Sequence, residues 1–75
     1  MVKTKSEILE TLKNLINHYL ECFCYNIAKD LCEIGETITY EKTKNIGANN
    51  FIRDSFFRGK EIEEIREYLN NKNLL

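Results

Sequence analysis

The sequence has few of the residues that usually interrupt helices. Its 75 residues contain no proline and only three glycines, at positions 35, 47 and 59. Proline and glycine are the strongest breakers of helical structure. Their scarcity predicts an all-α fold with long helices, and a chain of this length forms at most one domain, residues 1–75.

Features of membrane and secreted proteins are also missing. The sequence has no run of 18 apolar residues, and no apolar run precedes the acidic residues of the first segment, MVKTKSEILE. We therefore expect neither a membrane span nor a signal peptide. The three cysteines are an odd number, which does not suit a closed disulfide framework. These features predict a cytoplasmic protein without a membrane partner.

The pattern of a catalytic site is absent as well. There is one histidine, no nucleophile–base pattern and no phosphate-binding glycine loop, so we expect a non-enzyme without a cofactor or small-molecule substrate. His18 and Cys22 are four residues apart and could share a metal on a helix. Cys24 would point about 200° away from Cys22, and a zinc site needs four ligands. The cysteines are better interpreted as buried, small apolar residues, and we expect no metal.

A long amphipathic pattern fills the first half of the chain. Thr4 and Glu7 have the spacing of a capping box, and Ser6 is a competing cap. From Glu7 to Ile34 no residue stops a helix, and Gly35 would end it. The pattern predicts one long N-terminal helix.

The apolar strip of this helix changes direction near its middle. After Phe23 the strip position is taken by Asn26 and Asp30, so either the helix breaks near Cys24 to Asn26 or its halves face different partners. The first half would expose an apolar strip, which marks an interface with a second copy or a protein partner. Alternatively, the helix bends back and buries the strip itself. The strip consists of Leu9, Leu12, Ile16, Tyr19, Leu20 and Phe23.

The stretch from Gly47 to Lys60 predicts a second, shorter arrangement. Asn49 or Asn50 can cap a short helix that ends at Gly59, and the segment from Thr39 to Ile46 can form another. Two short helices joined at a glycine corner make a helix-turn-helix. The second helix would have an apolar face formed by Phe51, Ile52 and Phe56, with Phe57 at an interface.

Positive charge is concentrated on the same stretch. Residues 42–60 contain five basic residues and one acid, whereas the rest of the chain carries six basic and eleven acidic residues. The net charge of −1 does not suggest a nucleic-acid binder, but this cluster does. A mixed solvated surface with chance clustering is the alternative.

The last predicted element is a helix after Gly59. Ile62, Ile65, Tyr68 and Leu69 are spaced for one helical face, and asparagines at 70, 71 and 73 would end it. The two C-terminal leucines are expected to be frayed.

Residues 37 to 69 resemble the helix-turn-helix of phage-repressor proteins of the Cro/Xre type. A small residue lies four positions before the corner glycine, an apolar residue directly precedes it, a bulky apolar residue follows nine positions later, and a Gly-Lys pair comes at 12 and 13. These positions are Thr43, Ile46, Phe56, Gly59 and Lys60. The chain departs from the pattern at Arg53, where the family normally has an apolar residue, and at Lys42, where one is also expected.

The resemblance implies a small transcriptional regulator that binds DNA as a dimer. Its recognition helix would run from Asn49 to Arg58, with base contacts from Asn49, Asn50 and Arg53. Phosphate contacts would come from Lys42, Lys44, Arg58 and Lys60. The alternatives are that the two asparagines only cap a helix, and that the protein is an inhibitor or antitoxin-like interaction module that binds a partner through the apolar strip.

Overall fold

The chain folds into four helices without strands in the residues that the computed structural model describes, which are 3–42, 46–54 and 59–75. In order, they are α1 (Lys5–Glu21), α2 (Tyr25–Tyr40), α3 (Ile46–Arg53) and α4 (Lys60–Asn71). The predicted all-α class is confirmed.

The start of α1 is set by the predicted capping box. The Thr4 hydroxyl accepts from the backbone N–H of Glu7 at 3.3 Å, and the Thr4 N–H donates to the Glu7 carboxylate at 3.0 Å. The Thr4 hydroxyl thus satisfies a backbone N–H in the first turn of α1, and the Glu7 carboxylate satisfies the backbone N–H of Thr4. The backbone N–H and the hydroxyl of Thr4 both donate to the Glu7 carboxylate at 3.0 Å, and these two hydrogen bonds hold the pKa of Glu7 below its usual value.

The prediction of one continuous N-terminal helix is wrong, and the alternative of a break near Cys24 to Asn26 is confirmed, because the chain turns back at residues 22–24. Phe23 adopts a left-handed conformation with φ of 60°. The N–H of Cys24 donates to the carbonyl of Tyr19 at 2.8 Å, and the N–H of Phe23 donates to that of Leu20 at 3.1 Å. This pair of hydrogen bonds is a Schellman motif, which ends a helix by satisfying its last carbonyls.

The glycines do not lie where helices end. Gly35 is in the middle of α2 and Gly47 is the second residue of α3, so the predicted end at Gly35 and the predicted corner at Gly47 are wrong. Gly59 is the N-cap of α4, with φ of 147°. The left-handed positions at helix ends fall instead on Phe23, Glu41 and Asn73.

Helices α1 and α2 form an antiparallel hairpin, to which α3 and α4 are added. Helix α1 packs against α2 and α4, and α3 packs against α2 and α4. The core between them takes apolar side chains from all four helices and from the C-terminus. Its buried members are Ile8, Leu12, Ala28, Leu31, Ile34, Ile38, Ala48, Phe51, Ile52, Ile62, Ile65, Tyr68, Leu69 and Leu74.

Two basic side chains tie helix ends together. The guanidinium of Arg66 on α4 donates to the backbone carbonyls of Ile52 and Asp54, which satisfies acceptors at the end of α3. The ammonium of Lys5 donates to the carbonyl of Thr39 at 3.0 Å. The start of α1 is therefore level with the end of α2.

The predicted C-terminal helix and its apolar face are confirmed in α4. Its four predicted apolar residues are all buried, and the helix ends among the asparagines. The expectation that Leu74 is frayed is wrong, since its N–H donates to the carbonyl of Leu69 at 2.9 Å and its side chain is buried. Leu75 also packs against the core.

Candidate docking groove

An open apolar groove runs along the outer side of the hairpin, between α1 and α2. We call it the hairpin groove. It encloses about 450 Å³, within the range of pockets that bind small molecules or parts of peptides. Helix α1 contributes Leu9, Leu12, Lys13, Ile16 and Asn17, and α2 contributes Cys32, Gly35, Glu36, Thr39 and Tyr40.

The α1 side of the groove comes from the predicted apolar strip. Leu9 and Ile16 are half-buried against the core and still line the groove. Leu20 is 43% exposed and continues the same row, since residues 13, 16 and 20 share one face of a helix. The strip is thus buried along one edge and open along the other.

Leu12 lines the groove but exposes almost no surface of its own. It is only 1% exposed, so its prediction as a surface contact is wrong, because the hairpin covers it with α2 and the core. The alternative in which the chain bends back and buries the strip therefore holds for Leu12. Tyr19 is half-buried against the same core.

Gly35 forms part of the groove floor on α2. A Cβ at this position would meet no atom within 4 Å, although glycine inside a helix costs roughly 0.5–1 kcal/mol relative to alanine. Within the described residues, no close contact requires a glycine here. Its effect is to keep the floor low and open.

Opposite charges stand on the two sides of the groove. Lys13 on α1 and Glu36 on α2 are exposed, and they are the only ionic side chains that line it in the described ranges. Because Lys5 lies beside Thr39 and the helices are antiparallel, Lys13 is at about the same height along the hairpin as Leu31, and Glu36 is at about the height of Ile8. The two charges are therefore offset along the hairpin by about five residues, or ~7.5 Å.

Exposed aromatic side chains surround the turn at one end of the hairpin. Phe23 is 76% exposed and meets Tyr25 edge-to-face, with ring centroids 6.3 Å apart. Tyr25 is seven residues before Cys32 and so lies on the same face of α2. On that face the exposed Lys29 lies between Tyr25 and Cys32. The last residue of the predicted interface, Phe57, lies outside the described residues.

The predicted base-reading residues separate into two groups. Asn49 is 3% exposed, so its assignment as a base contact is wrong: the packing of α3 turns it inward. Its Oδ1 has no hydrogen-bond partner in the described part of the chain. Asn50 and Arg53 are exposed, three residues apart on one face of α3.

Two of the four predicted phosphate-contacting residues belong to the described part of the chain. Lys44 and Arg58 lie outside the described residues. Lys42 and Lys60 are exposed. Lys60 borders a hollow that it shares with Lys3, Glu61 and Glu64, so its surroundings are mixed in charge. Lys3 pairs with Glu64 at 2.9 Å, and this hydrogen bond raises the pKa of Lys3.

The cysteines near the turn do not assemble a metal site with three or more ligands among the residues that the structure places. The sulfur of Cys22 lies 3.9 Å from Nε2 of His18, and the thiol of Cys24 donates to the carbonyl of Cys22 at 3.6 Å. Cys22 and Cys32 are exposed, so the interpretation of these two as buried apolar residues is wrong.

Comparisons with known proteins add no functional assignment. No family model, no curated protein and no solved structure matches the chain. The resemblance to Cro/Xre-type repressors therefore stays a prediction. Within the described ranges, no helix is both long and apolar enough to span a membrane.

Only the α1 side of the groove could be predicted from the sequence. The α1 strip signalled one side of it, through Leu9 and Ile16. The α2 side forms only once the hairpin has folded back. Its residues Cys32, Gly35 and Glu36 do not form an apolar pattern that could have predicted it. The one clue was Gly35, a glycine inside an otherwise unbroken helical pattern.

Proposed function

We propose that this protein is a small protein-interaction module whose hairpin groove receives a helix of another polypeptide. The observation that carries the proposal is the groove itself, which stays open and apolar after all four helices have packed. An amphipathic helix laid into an apolar groove is a recurring mode of peptide recognition. The protein then acts by binding and performs no chemistry of its own.

The composition of the groove fits a helix. Leu9 and Ile16 offer aliphatic contacts on one side, and Tyr40 offers an exposed aromatic edge on the other. Gly35 between them lets the backbone of a bound helix approach closely, as small residues do where helices cross. Aromatic and aliphatic anchors of this kind carry most of the binding free energy in protein interfaces.

A library of amphipathic helical peptides displayed on phage tests the proposal with a defined probe. We expect peptides selected on the wild type to lose at least about tenfold in affinity for Gly35→Leu, because the new side chain fills the groove. This variant removes a helix-interior glycine, so it remains folded. Asn26→Leu is the matched control, as it adds the same side chain at an exposed site of α2 outside the groove. Failure to select any peptide, or equal binding by both variants, contradicts the proposal.

A DNA-binding regulator is the second candidate, favoured by the exposure of Asn50 and Arg53 on one face of α3. In that case Arg53→Ala should cost ~1–3 kcal/mol on a preferred site. Lys60→Ala should weaken binding to all sequences alike and flatten its salt dependence. Fluorescence anisotropy with labelled duplexes at low salt tests both. No measurable affinity for any duplex under those conditions would end this candidate.

A further inference from the structure

Resting on the proposed function, we infer that the occupant of the hairpin groove is the hairpin of a second copy of this chain. Two hairpins then stack face to face as a four-helix arrangement. The two-fold axis runs parallel to the helices, so that α1 of each copy lies over α2 of its partner.

The charges of the groove select a second copy over other partners. Among the described residues that line the groove, one cation on α1 and one anion on α2 balance each other, and this balance does not favour an acidic or a basic ligand. Placing α1 over the partner's α2 brings Lys13 of each copy to Glu36 of the other. The groove of each copy then contributes the lysine of one ion pair and the glutamate of the other, as the self-complementary surface of a two-fold interface requires.

The directions of the side chains agree with this orientation. Side chains on a helix lean toward its N-terminus. The Lys13 side chain leans along α1 toward the height of Ile8, which is also the height of Glu36. On the antiparallel helix, the Glu36 side chain leans in the opposite direction, toward the height of Lys13. Both side chains thus shorten the offset of ~7.5 Å. The other two-fold arrangement, with α1 over α1, would place like charges opposite one another.

The area of the hairpin face sets the expected affinity. Sixteen helical residues extend ~24 Å, and two helices side by side are ~20 Å wide. Such a face buries on the order of 500 Å² per copy, about 1,000 Å² in all, at the low end for a specific interface. We therefore expect a dimer that forms in the micromolar range.

Sedimentation of charge variants tests the pairing. Lys13→Glu and Glu36→Lys should each weaken self-association by roughly tenfold, because two ion pairs become two like-charge contacts. An equimolar mixture of the two variants should recover the wild-type association, since each mixed dimer restores both pairs. Asn70→Glu, an exposed change on α4, is the control and should leave it unchanged.

Disulfide cross-linking tests the orientation. In a Cys22→Ser/Cys24→Ser background, a chain that carries Lys13→Cys and Cys32→Ser is mixed with a chain that keeps Lys13 and Cys32, so that neither chain can close a disulfide within itself. The two chains should form an inter-chain disulfide, because Lys13→Cys and the partner's Cys32 lie nearly level on facing helices. Without Lys13→Cys, the two Cys32 residues lie on diagonally opposite helices and should stay reduced. A cross-link between two chains that both carry Lys13→Cys and Cys32→Ser would show α1 over α1 and overturn the inference, as would a dimer that gives no cross-link.

The inference and the proposed function fail separately. A wild type that sediments as a monomer at about 100 µM overturns the second copy as the occupant. If that monomer still binds helical peptides in a manner sensitive to Gly35→Leu, the groove remains a docking site for a different polypeptide. If it binds none, both the inference and the proposed function are wrong.

Discussion

Asn49 and Asn50 are neighbours with the same side chain in opposite surroundings. Asn49 is buried with an unpaired carbonyl oxygen among the described residues, whereas Asn50 is exposed. The sequence could not separate them, because both suit a helix cap and both suit a base contact. Only the packing of α3 against α2 and α4 decides which one turns inward.

Asn49→Asp should destabilise the fold by about 3–5 kcal/mol at neutral pH, since it places a charge in the core without a partner. Asn50→Asp is the matched control, with an expected change within ~0.5 kcal/mol. Urea unfolding of both variants measures the difference. Equal stability of the two would mean that Asn49 is not buried.

Thr4→Ala should cost ~1 kcal/mol by removing the N-cap of α1, and Ser6→Ala should cost little because Thr4 holds the cap. Glu7 tests the same contact through pH. Its pKa is lowered in the folded state, so the stability from this contact is present above the ordinary pKa of Glu7 and is lost as the pH falls through the folded value. Carboxyl NMR titration should show the pKa of Glu7 moving part of the way up toward its ordinary value in Thr4→Ala, because the hydroxyl donor is lost while the backbone N–H of residue 4 remains. A Glu7 pKa that is unchanged in this variant would contradict the capping box.

The helix ends are where sequence and structure differ most at the scale of elements. Capping signals at Thr4 and the apolar pattern of α4 predicted those elements well, because both depend on local contacts. The break after α1 was predicted only as an alternative, near Cys24 to Asn26, because a phenylalanine takes the left-handed position that usually belongs to glycine. The hairpin follows from that turn, and the sequence indicated it only through the alternative in which the chain bends back.

Phe23→Gly should stabilise the protein by roughly 0.5–1 kcal/mol. Glycine relieves a left-handed conformation that costs other residues ~1–2 kcal/mol, and Phe23 is too exposed for its loss to empty the core. Phe23→Ala is the control: it removes the ring and keeps the strained backbone, so it should give no gain. Thermal unfolding distinguishes the two. A loss of stability in both would show that the ring supports the turn.

Gly35→Ala should also stabilise the monomer, by about 0.5–1 kcal/mol, because the site is helical and a Cβ has open space. Gly59→Ala should do the opposite, since φ of 147° is rarely adopted by residues with a side chain. Urea unfolding at low micromolar concentration compares both with the wild type. A destabilising effect of Gly35→Ala under these conditions would mean that the groove floor is already covered within one chain.

At the scale of the whole molecule, the helices that the structure describes leave part of the hairpin uncovered. Helices α3 and α4 bury the inner sides of α1 and α2, and the groove on the outer side stays open. Small domains bury a smaller fraction of their surface than large ones, and association is a common way to cover the remainder. An uncovered apolar face with balanced charges is therefore the feature from which both the proposed function and the proposed dimer follow.

Amide chemical shifts of the wild type, measured from about 10 µM to about 1 mM, test this account most directly. The prediction is that the concentration-dependent shifts concentrate on the groove, at residues such as Lys13, Ile16, Gly35 and Glu36. Glu67 and Asn70 on the exposed side of α4 should stay unchanged and serve as internal controls. Shifts that centre on α3 or α4, or that do not change with concentration at all, would contradict the hairpin groove as the surface where two copies meet.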